Sequence, residues 1–476
     1  MSGMSAHSQS AAAMEPRTAR GATAAAPSIP GKVLIVSQWF WPELLGTGFY
    51  SGDLGFWLAE RGGRVEVLTN RPNYPGPSVF PEYRDGARDR EESQGVRIER
   101  LPTWVPPSGR ALHRIVGEVL FFLRAAPRLW RRRLEPGEAV VSFCPSVLAV
   151  LAASLARGGR HVAIVHDIQS GLARSLALAK SGLVTKLLRA VERYCLNRAD
   201  QIVVLSDEMR AVLRSMGVKR PIAVVPIWVD TSRLTPLPRP AGLAPTVLYS
   251  GNFGRKQGLD QVLDCAEILL KELPQAVVVL RGGGSTEPEL RRDVAARGLA
   301  NVRFEPLLPA DRLAEGLAAA DLLLVPQEPS ASDFAVPSKI YTIMAAGRPM
   351  VATAVEGSPL WKLAQACGGI VCVPPRDARA FAQAVLALMR DPERRARLGA
   401  VARRYAVEEV DRDRVLTDLA RLLRDGRDIS ASPMGEEPGR RTEVGAQPVL
   451  VGVGTGEQTA RKPGLDLIPN GSDCSR

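Results

Sequence analysis

The chain reads as an α/β protein built from two Rossmann-like domains that face a central cleft. Three observations predict this. Short apolar runs alternate with helix-patterned stretches in two successive series, a proline-rich stretch without helical period parts them, and glycine-bearing loops follow several of the strand-like runs. With 476 residues and an apolar fraction of 45%, there is chain enough for two separate cores.

Residues 1–29 contain Ser, Ala, Gly and Pro without a long apolar run, so a disordered N-terminal tail is expected rather than a secretory signal. The first series, residues 30–231, opens with KVLIVSQ (32–38), a glycine-containing loop, the helical GDLGFWLAERG (52–62) and the strand RVEVLTN (64–70). Further strands are expected at GVRIERL (95–101), AVVSF (139–143), HVAIVHD (161–167), QIVVLS (201–206) and IAVVPIWVD (222–230). Residues 139–156 approach the length of a membrane span, but Ser142, Pro145 and Ser154 interrupt them, and a strand followed by a helix is the simpler reading.

Residues 232–245, with four prolines, predict a linker. The second series, 246–406, has strands at TVLYSGNFG (246–254), AVVVLRGGG (276–284), NVRFEPL (301–307), ADLLLVP (320–326), PMVAT (349–353) and GIVCV (369–373). A final helix over 407–425 is expected to cross back to the first domain, and 426–476 to form a second disordered tail.

The charge balance, 62 Lys+Arg against 50 Asp+Glu, favours an anionic partner. No basic-aromatic module recurs, so nucleic acid is the weaker choice. Six cysteines without a CxxC pair, and four histidines, offer no zinc framework; no metal or cofactor is expected, and a reducing cytoplasm fits. The segment 111–133 joins an apolar-aromatic face to Arg131, Arg132 and Arg133, which suits either a peripheral contact with an anionic membrane or a domain helix with a basic edge.

Several segments carry residues suited to chemistry. Gly46, Thr47 and Gly48 follow the first strand, where glycine permits close approach to a ligand, although an ordinary turn explains them equally well. Gly251, Asn252, Gly254, Arg255 and Lys256 lie between a strand and a helix, and the two adjacent cations suit a diphosphate. Gly282, Gly283 and Gly284 would let the backbone pass close to a base or ribose, or simply form a turn. Ser338, read as a helix cap, and Lys339 open another helix whose N-terminus suits phosphate. His166 ends an apolar strand beside Asp167; it could donate to a sugar hydroxyl or shuttle a proton, with Asp167 orienting it, or the pair could cap a turn.

Four stretches together resemble the retaining nucleotide-sugar glycosyltransferases of family 4, within it the colanic acid and exopolysaccharide (WcaI-like) group. They are SQWFWPELLGTGFYSGDLGFWLAERGGRVEVLTNRPNYP (37–75), IVHDIQSGLA (164–173), YSGNFGRKQGLD (249–260) and VPSKIYTIMAAGRPMVAT (336–353). The likeness runs over residues 31–425. It implies a GT-B arrangement in which the second domain holds a nucleotide-diphosphate sugar and the first a lipid-linked saccharide acceptor. It places Gly46 to Gly48 across from the donor phosphates, His166 near the reacting sugar, and Ser338, Lys339 and Thr342 near ribose and phosphate. Two departures stand out: the family's paired glutamates fall on Phe334 and Thr342, and its usual Arg and Lys on Asn252 and Gln257. A noncatalytic sugar-nucleotide-binding or assembly subunit, or a nucleotide-sugar epimerase, are the other readings.

Overall fold

The computed structural model describes residues 29–43, 46–74, 76, 78–105, 111–168, 182–331 and 336–426; the expectations for most of both tails and for Phe334 lie outside these. Two α/β sheets make up the protein. The first contains β1 (Lys32–Val36), β2 (Arg64–Asn70), β3 (Arg90–Ser93), β4 (Val96–Leu101), β5 (Ala139–Cys144), β6 (Arg160–Val165), β7 (Gln201–Val204) and β8 (Ile222–Val224), in the order β3-β4-β2-β1-β5-β6-β7-β8. All its pairs are parallel except β3 with β4. The second contains β9 (Thr246–Asn252), β10 (Val277–Gly283), β11 (Val302–Glu305), β12 (Leu322–Val325), β13 (Met350–Thr353) and β14 (Ile370–Val373), all parallel, in the order β11-β10-β9-β12-β13-β14.

Thirteen helices are described: α1 (Thr47–Glu60), α2 (Ala111–Trp130), α3 (Val147–Ala153), α4 (Gly182–Leu196), α5 (Asp207–Ser215), α6 (Asp260–Glu272), α7 (Glu287–Ala296), α8 (Leu313–Ala318), α9 (Lys339–Ala345), α10 (Pro359–Cys367), α11 (Ala378–Arg390), α12 (Pro392–Glu409) and α13 (Arg412–Asp425). None is long and apolar enough to cross a membrane among the described residues. The central strands read as unbroken apolar runs because helices cover both faces of a parallel sheet. Val33, Ile35, Val141 and Ile164 pack with Leu54, Trp57 and Leu58 of α1 in one core.

Three details differ from the sequence expectation. The strand at 222–230 stops at Val224, where Pro226 follows without a ladder N–H. The edge strand β3, REES, was not foreseen; it pairs through a turn in which Gln94 and Gly95 both take positive φ (48° and 77°), as a tight hairpin requires. The stretch 407–425 is not one helix: α12 ends at Glu409, and the Asp411 carboxylate accepts from the N–H groups of Asp413 and Arg414 to start α13.

α13 belongs to the first sheet's core through Val415, Leu416, Leu419 and Leu423. Its start is fixed by a group of polar contacts, those to Asp53 buried and that to Asp413 partly exposed. Asp53 of α1 accepts from Arg412 at 2.8 and 2.9 Å and from the Trp228 indole at 2.7 Å, and Asp413 accepts from the Trp57 indole at 2.8 Å. These contacts sit where the chain passes between the sheets, at 229–231 and 410–412.

In the second sheet, glycine is required where β9 and β10 run side by side. Gly282 has φ 149°, and a Cβ there would lie 1.8 Å from the carbonyl oxygen of Gly251. Gly282→Ala is therefore expected to destabilise the protein by about 2 kcal/mol or more, lowering its melting temperature by roughly 4–8 °C. Gly298→Ala, also at positive φ (60°) but with nothing within 4 Å of the added methyl, should cost only about half as much. Equal melting shifts for the two variants would show that the overlap at Gly282 is relieved without cost.

Candidate active site

In an open parallel sheet, ligands bind beyond the carboxyl ends of the strands where the strand order reverses. In the first sheet that point lies between β1 and β5; in the second it lies between β9 and β12. Gly46 to Gly48 follow β1, Asn252 to Lys256 follow β9, and Ser338 to Thr342 follow β12. His166 follows β6, one strand further along.

On the second domain, the loops after β9 and β12 are tied by the Glu328 N–H donating to the Lys256 carbonyl at 3.0 Å. Lys339, the first residue of α9, turns its ammonium over the Tyr249 ring, 4.0 Å from the centroid. A Cβ on Gly251 would lie only 2.7 Å from that Nζ, so glycine there is what lets the cation reach the end of β9. No described carboxylate pairs with Lys339, and burial lowers its pKa from 10.5 to about 7. The Tyr249 hydroxyl donates to the Asn252 carbonyl at 2.7 Å and holds the loop.

The other candidates of this domain divide. Gly282 and Gly284 make room for neighbouring atoms, Gly284 for the Asn252 side chain and the Phe253 carbonyl, so their glycine identity has a packing reason. A Cβ on Gly283 would have a single contact, Glu287 at 3.4 Å, and one on Gly254 would meet the Gln257 side chain at 2.8 Å. Arg255 is 84% exposed and faces Glu289 at 3.6 Å, while Lys256 is half-buried. Thr342 is half-buried, one turn along α9 from Ser338.

Ser338 does not cap α9. Its φ and ψ (−56° and −28°) are already helical and its side chain accepts no N–H from the helix. Its side chain lies instead near the hydroxyl of Tyr50, from α1 of the first domain, close enough to lower that hydroxyl's pKa. Tyr50 packs edge-on against His166 (5.4 Å between centroids) and against Trp228 (5.1 Å), and burial is the main cause of the rise in its pKa. Tyr50 thus lies between the His166 ring and Ser338 at the start of α9. At the rim, Lys362 of α10 meets Glu208 of α5 at 2.6 Å, a second contact between the domains.

His166 lies between Tyr50 and Phe143, and its Nε2 is buried without a hydrogen-bond partner among the described residues. Burial lowers its pKa from 6.5 to about 4, so the ring is neutral near pH 7. Asp167, the next residue, is half-buried. His161 is lowered to about 4 by the same cause, its Nε2 2.8 Å from the Ser142 hydroxyl.

Both folded-state values lie below the unfolded 6.5. Above that value neither state binds the proton; as pH falls, the unfolded chain takes it up first. Stability is thus expected to fall between about pH 6.5 and 4, by about 1.4 kcal/mol per pH unit for each ring. Urea titrations across this range should show that slope diminish in His161→Gln. An unchanged slope would mean that His161 is not held neutral by the fold.

Sequence reasoning passed over Glu43 and Tyr50. Glu43 is buried and accepts from the backbone N–H groups of Asn73 and Tyr74 at 2.8 Å each. Burial outweighs these bonds and raises its pKa to about 7. A Cβ on Gly48 would come within 2.7 Å of the Glu43 carbonyl oxygen, so Gly48 brings α1 against this loop. Only its place just before the glycines marked Glu43 in the sequence. Tyr50 carried no mark, because its role depends on a helix from the other domain.

The Glycosyl transferase 4-like domain family matches residues 46–228, and the Glycosyl transferases group 1 family matches residues 244–391. The chain is 31% identical over 415 residues to an Escherichia coli K12 protein assigned to colanic acid biosynthesis as glycosyl transferase WcaI, an alignment covering 83% of this chain and all of that one. Among solved structures, a sucrose-phosphate synthase from Thermosynechococcus elongatus is similar with a TM-score of 0.65 at 20% identity, over 83% of this chain and 98% of that one. Anabaena HepE in complex with UDP-glucose is similar with a TM-score of 0.61 at 14% identity, over 82% and 99%. Two parallel-sheet domains of this kind define the GT-B class. The chain belongs to glycosyltransferase family 4.

Proposed function

We propose that this glycosyltransferase moves a hexose from a nucleotide-diphosphate sugar to a lipid-linked saccharide, with retained anomeric configuration, in exopolysaccharide synthesis on the inner face of the cell membrane. The observation that carries the donor half is Lys339, a cation without a described counter-ion, held beside Gly251 at the reversal point of the second sheet. A diphosphate placed there supplies the missing anion. HepE, of similar fold, is described in complex with UDP-glucose, which supports a donor of this class.

As the glycosidic bond breaks, negative charge grows on the departing diphosphate, and a fixed cation beside the backbone of Gly251 and Asn252 opposes it with little reorganisation. Gly46, Thr47 and Gly48 would face the phosphates from the first domain, and Arg255 and Lys256 would lie along the outer edge. Ser338 and Thr342 would be left for ribose or sugar hydroxyls in place of the family's glutamates. The neutral His166 ring, with Asp167 beside it, suits hydrogen bonding to a sugar hydroxyl better than carrying a charge. Of the described carboxyl groups at the site, Asp167 and Glu43, the second is engaged by the backbone N–H groups of Asn73 and Tyr74, so a double displacement with two carboxylates lacks a member. Attack by the acceptor on the face the diphosphate leaves, with that diphosphate taking the acceptor proton, explains retention without one.

Calorimetric titration with a panel of nucleoside diphosphates, followed by release of the preferred one from its sugar when a lipid-linked acceptor is added, tests this reading. Tight nucleotide binding without acceptor-dependent release would favour a sugar-nucleotide-binding subunit instead.

A further inference from the structure

We propose that Glu43 is a positioning residue for the transfer: its buried carboxylate holds the loop after β2 against the turn Gly46–Gly48, and taking up a proton slackens that hold and slows turnover. This rests on the donor site and the sugar transfer proposed above. One oxygen of Glu43, Oε1, accepts from both the Asn73 and the Tyr74 N–H at 2.8 Å. A Cβ on Gly48 would lie 3.0 Å from the Glu43 Cβ as well as 2.7 Å from its carbonyl oxygen, so the first turn of α1 rests on this residue. The loop that carries Glu43 is tied in turn to β4. There the buried Arg100 guanidinium donates to the Trp41 carbonyl at 2.9 Å and to Glu91 of β3 at 2.6 Å. One carboxyl thus joins the loops that leave β1 and β2, beside the reversal point between β1 and β5.

A clamp by itself does not call for a carboxylate. A glutamine carbonyl also accepts from two N–H groups and is less costly to bury. An ionised carboxylate grips the same N–H groups about twice as strongly, and it gives that grip up on protonation. What faces the group sets the balance. Among the described residues the charged side chain acting on the Glu43 carboxyl is Arg100 of β4, which Glu91 already shares. α1 meets Glu43 through Gly48, and the loop after β2 meets it through backbone N–H groups. Burial therefore outweighs the favourable contacts, and the carboxyl titrates at about 7. Because this lies above the 4.5 of an unperturbed carboxyl, ionised Glu43 lowers stability, increasingly from pH 4.5 to about 7 and fully above that. Turnover should run the opposite way, since the ionised form holds the turn firmly where charge grows on the departing diphosphate.

Hydrogen exchange and turnover, each followed from about pH 5.5 to 8.5, test this on the full chain and on Glu43→Gln. In the wild-type protein the protection factors of the Asn73 and Tyr74 amides should rise as pH passes about 7, and in Glu43→Gln they should stay level. Turnover is measured with the nucleotide sugar that the calorimetric panel selects and a polyprenyl-diphosphate-linked hexose, both saturating. The wild-type rate should rise about ten-fold over the range, while Glu43→Gln stays at the wild type's low-pH level throughout. Saturating donor keeps Lys339 paired, so its titration acts on donor affinity, and both buried histidines titrate well below this limb, at about 4. At pH 8 the glutamine variant should melt no lower than wild type, which separates positioning from support of the fold. Wild-type protection that ignores pH, a glutamine variant that keeps the wild-type limb, or turnover that falls as pH rises through 7 would each overturn the proposal. In the last case the carboxylate repels the diphosphate instead of serving the turn. If Glu43→Gln does not fold, the pH dependence of wild-type exchange and turnover decides. The exchange measurement needs no substrate, so it judges the clamp separately from the donor reading, whose own failure would show as absence of nucleotide binding by the wild-type protein.

Discussion

Lys339→Met should weaken binding of the preferred nucleoside diphosphate by about 10- to 150-fold, the range expected for one lost charged hydrogen bond of about 1.5–3 kcal/mol. The same substitution should leave the fold intact or stabilise it. In the free protein the Lys339 pKa is lowered to about 7, below its unfolded value of 10.5. The charged form is therefore disfavoured by folding: stability falls as pH drops from 10.5 toward 7, and the cost is complete below that. Methionine removes the cost and keeps the volume. A further sign follows from the same shift. Diphosphate binding should raise the Lys339 pKa, so titrations near pH 8 in buffers of different ionisation enthalpy should show proton uptake that the methionine variant lacks. Unchanged affinity in Lys339→Met would remove this cation from the donor site and leave Arg255 and Lys256 to supply the charge.

His166→Ala should reduce turnover by about 10²–10⁴ while changing nucleotide affinity little. The reason is position: His166 belongs to the first domain, and among the described residues its ring packs on Tyr50, whose hydroxyl lies near Ser338 at the start of α9. A group that holds the reacting sugar or the acceptor acts in the transition state, whereas the nucleotide is gripped from the second domain. Because the ring packs on Tyr50 and Phe143, alanine leaves a cavity there, so folding should be checked by melting. His166→Asn keeps a hydrogen-bonding group and should recover part of the rate. A folded alanine variant with wild-type turnover would exclude His166 from the reaction.

Much of the fold was legible because buried parallel strands leave a plain trace: KVLIV, HVAIV and VVVL have no polar face to hide. β3 left none, since REES lies at a half-exposed edge and its pairing depends on the Gln94-Gly95 turn. The candidate site was legible where glycine or charge follows a strand, as at Gly251 and Lys339. It was illegible where a side chain works across the cleft. Ser338 has the composition of a cap, but its side chain lies near the Tyr50 hydroxyl, and no local pattern in either segment announces the other. Arg255 and Lys339 look alike in sequence; exposure separates them, one on the surface beside Glu289 and the other folded over Tyr249.

Sugar transfer itself is tested most directly by the product. The protein should be incubated with its preferred nucleotide sugar and a lipid-linked saccharide, and the isolated lipid examined by mass spectrometry and by the anomeric proton coupling in NMR. The expected result is the acceptor mass increased by one sugar residue, joined with the anomeric configuration it had in the donor. An inverted linkage would contradict the same-face mechanism. Recovery of an unchanged acceptor beside a nucleotide sugar altered at a ring carbon would contradict transfer and identify an epimerase.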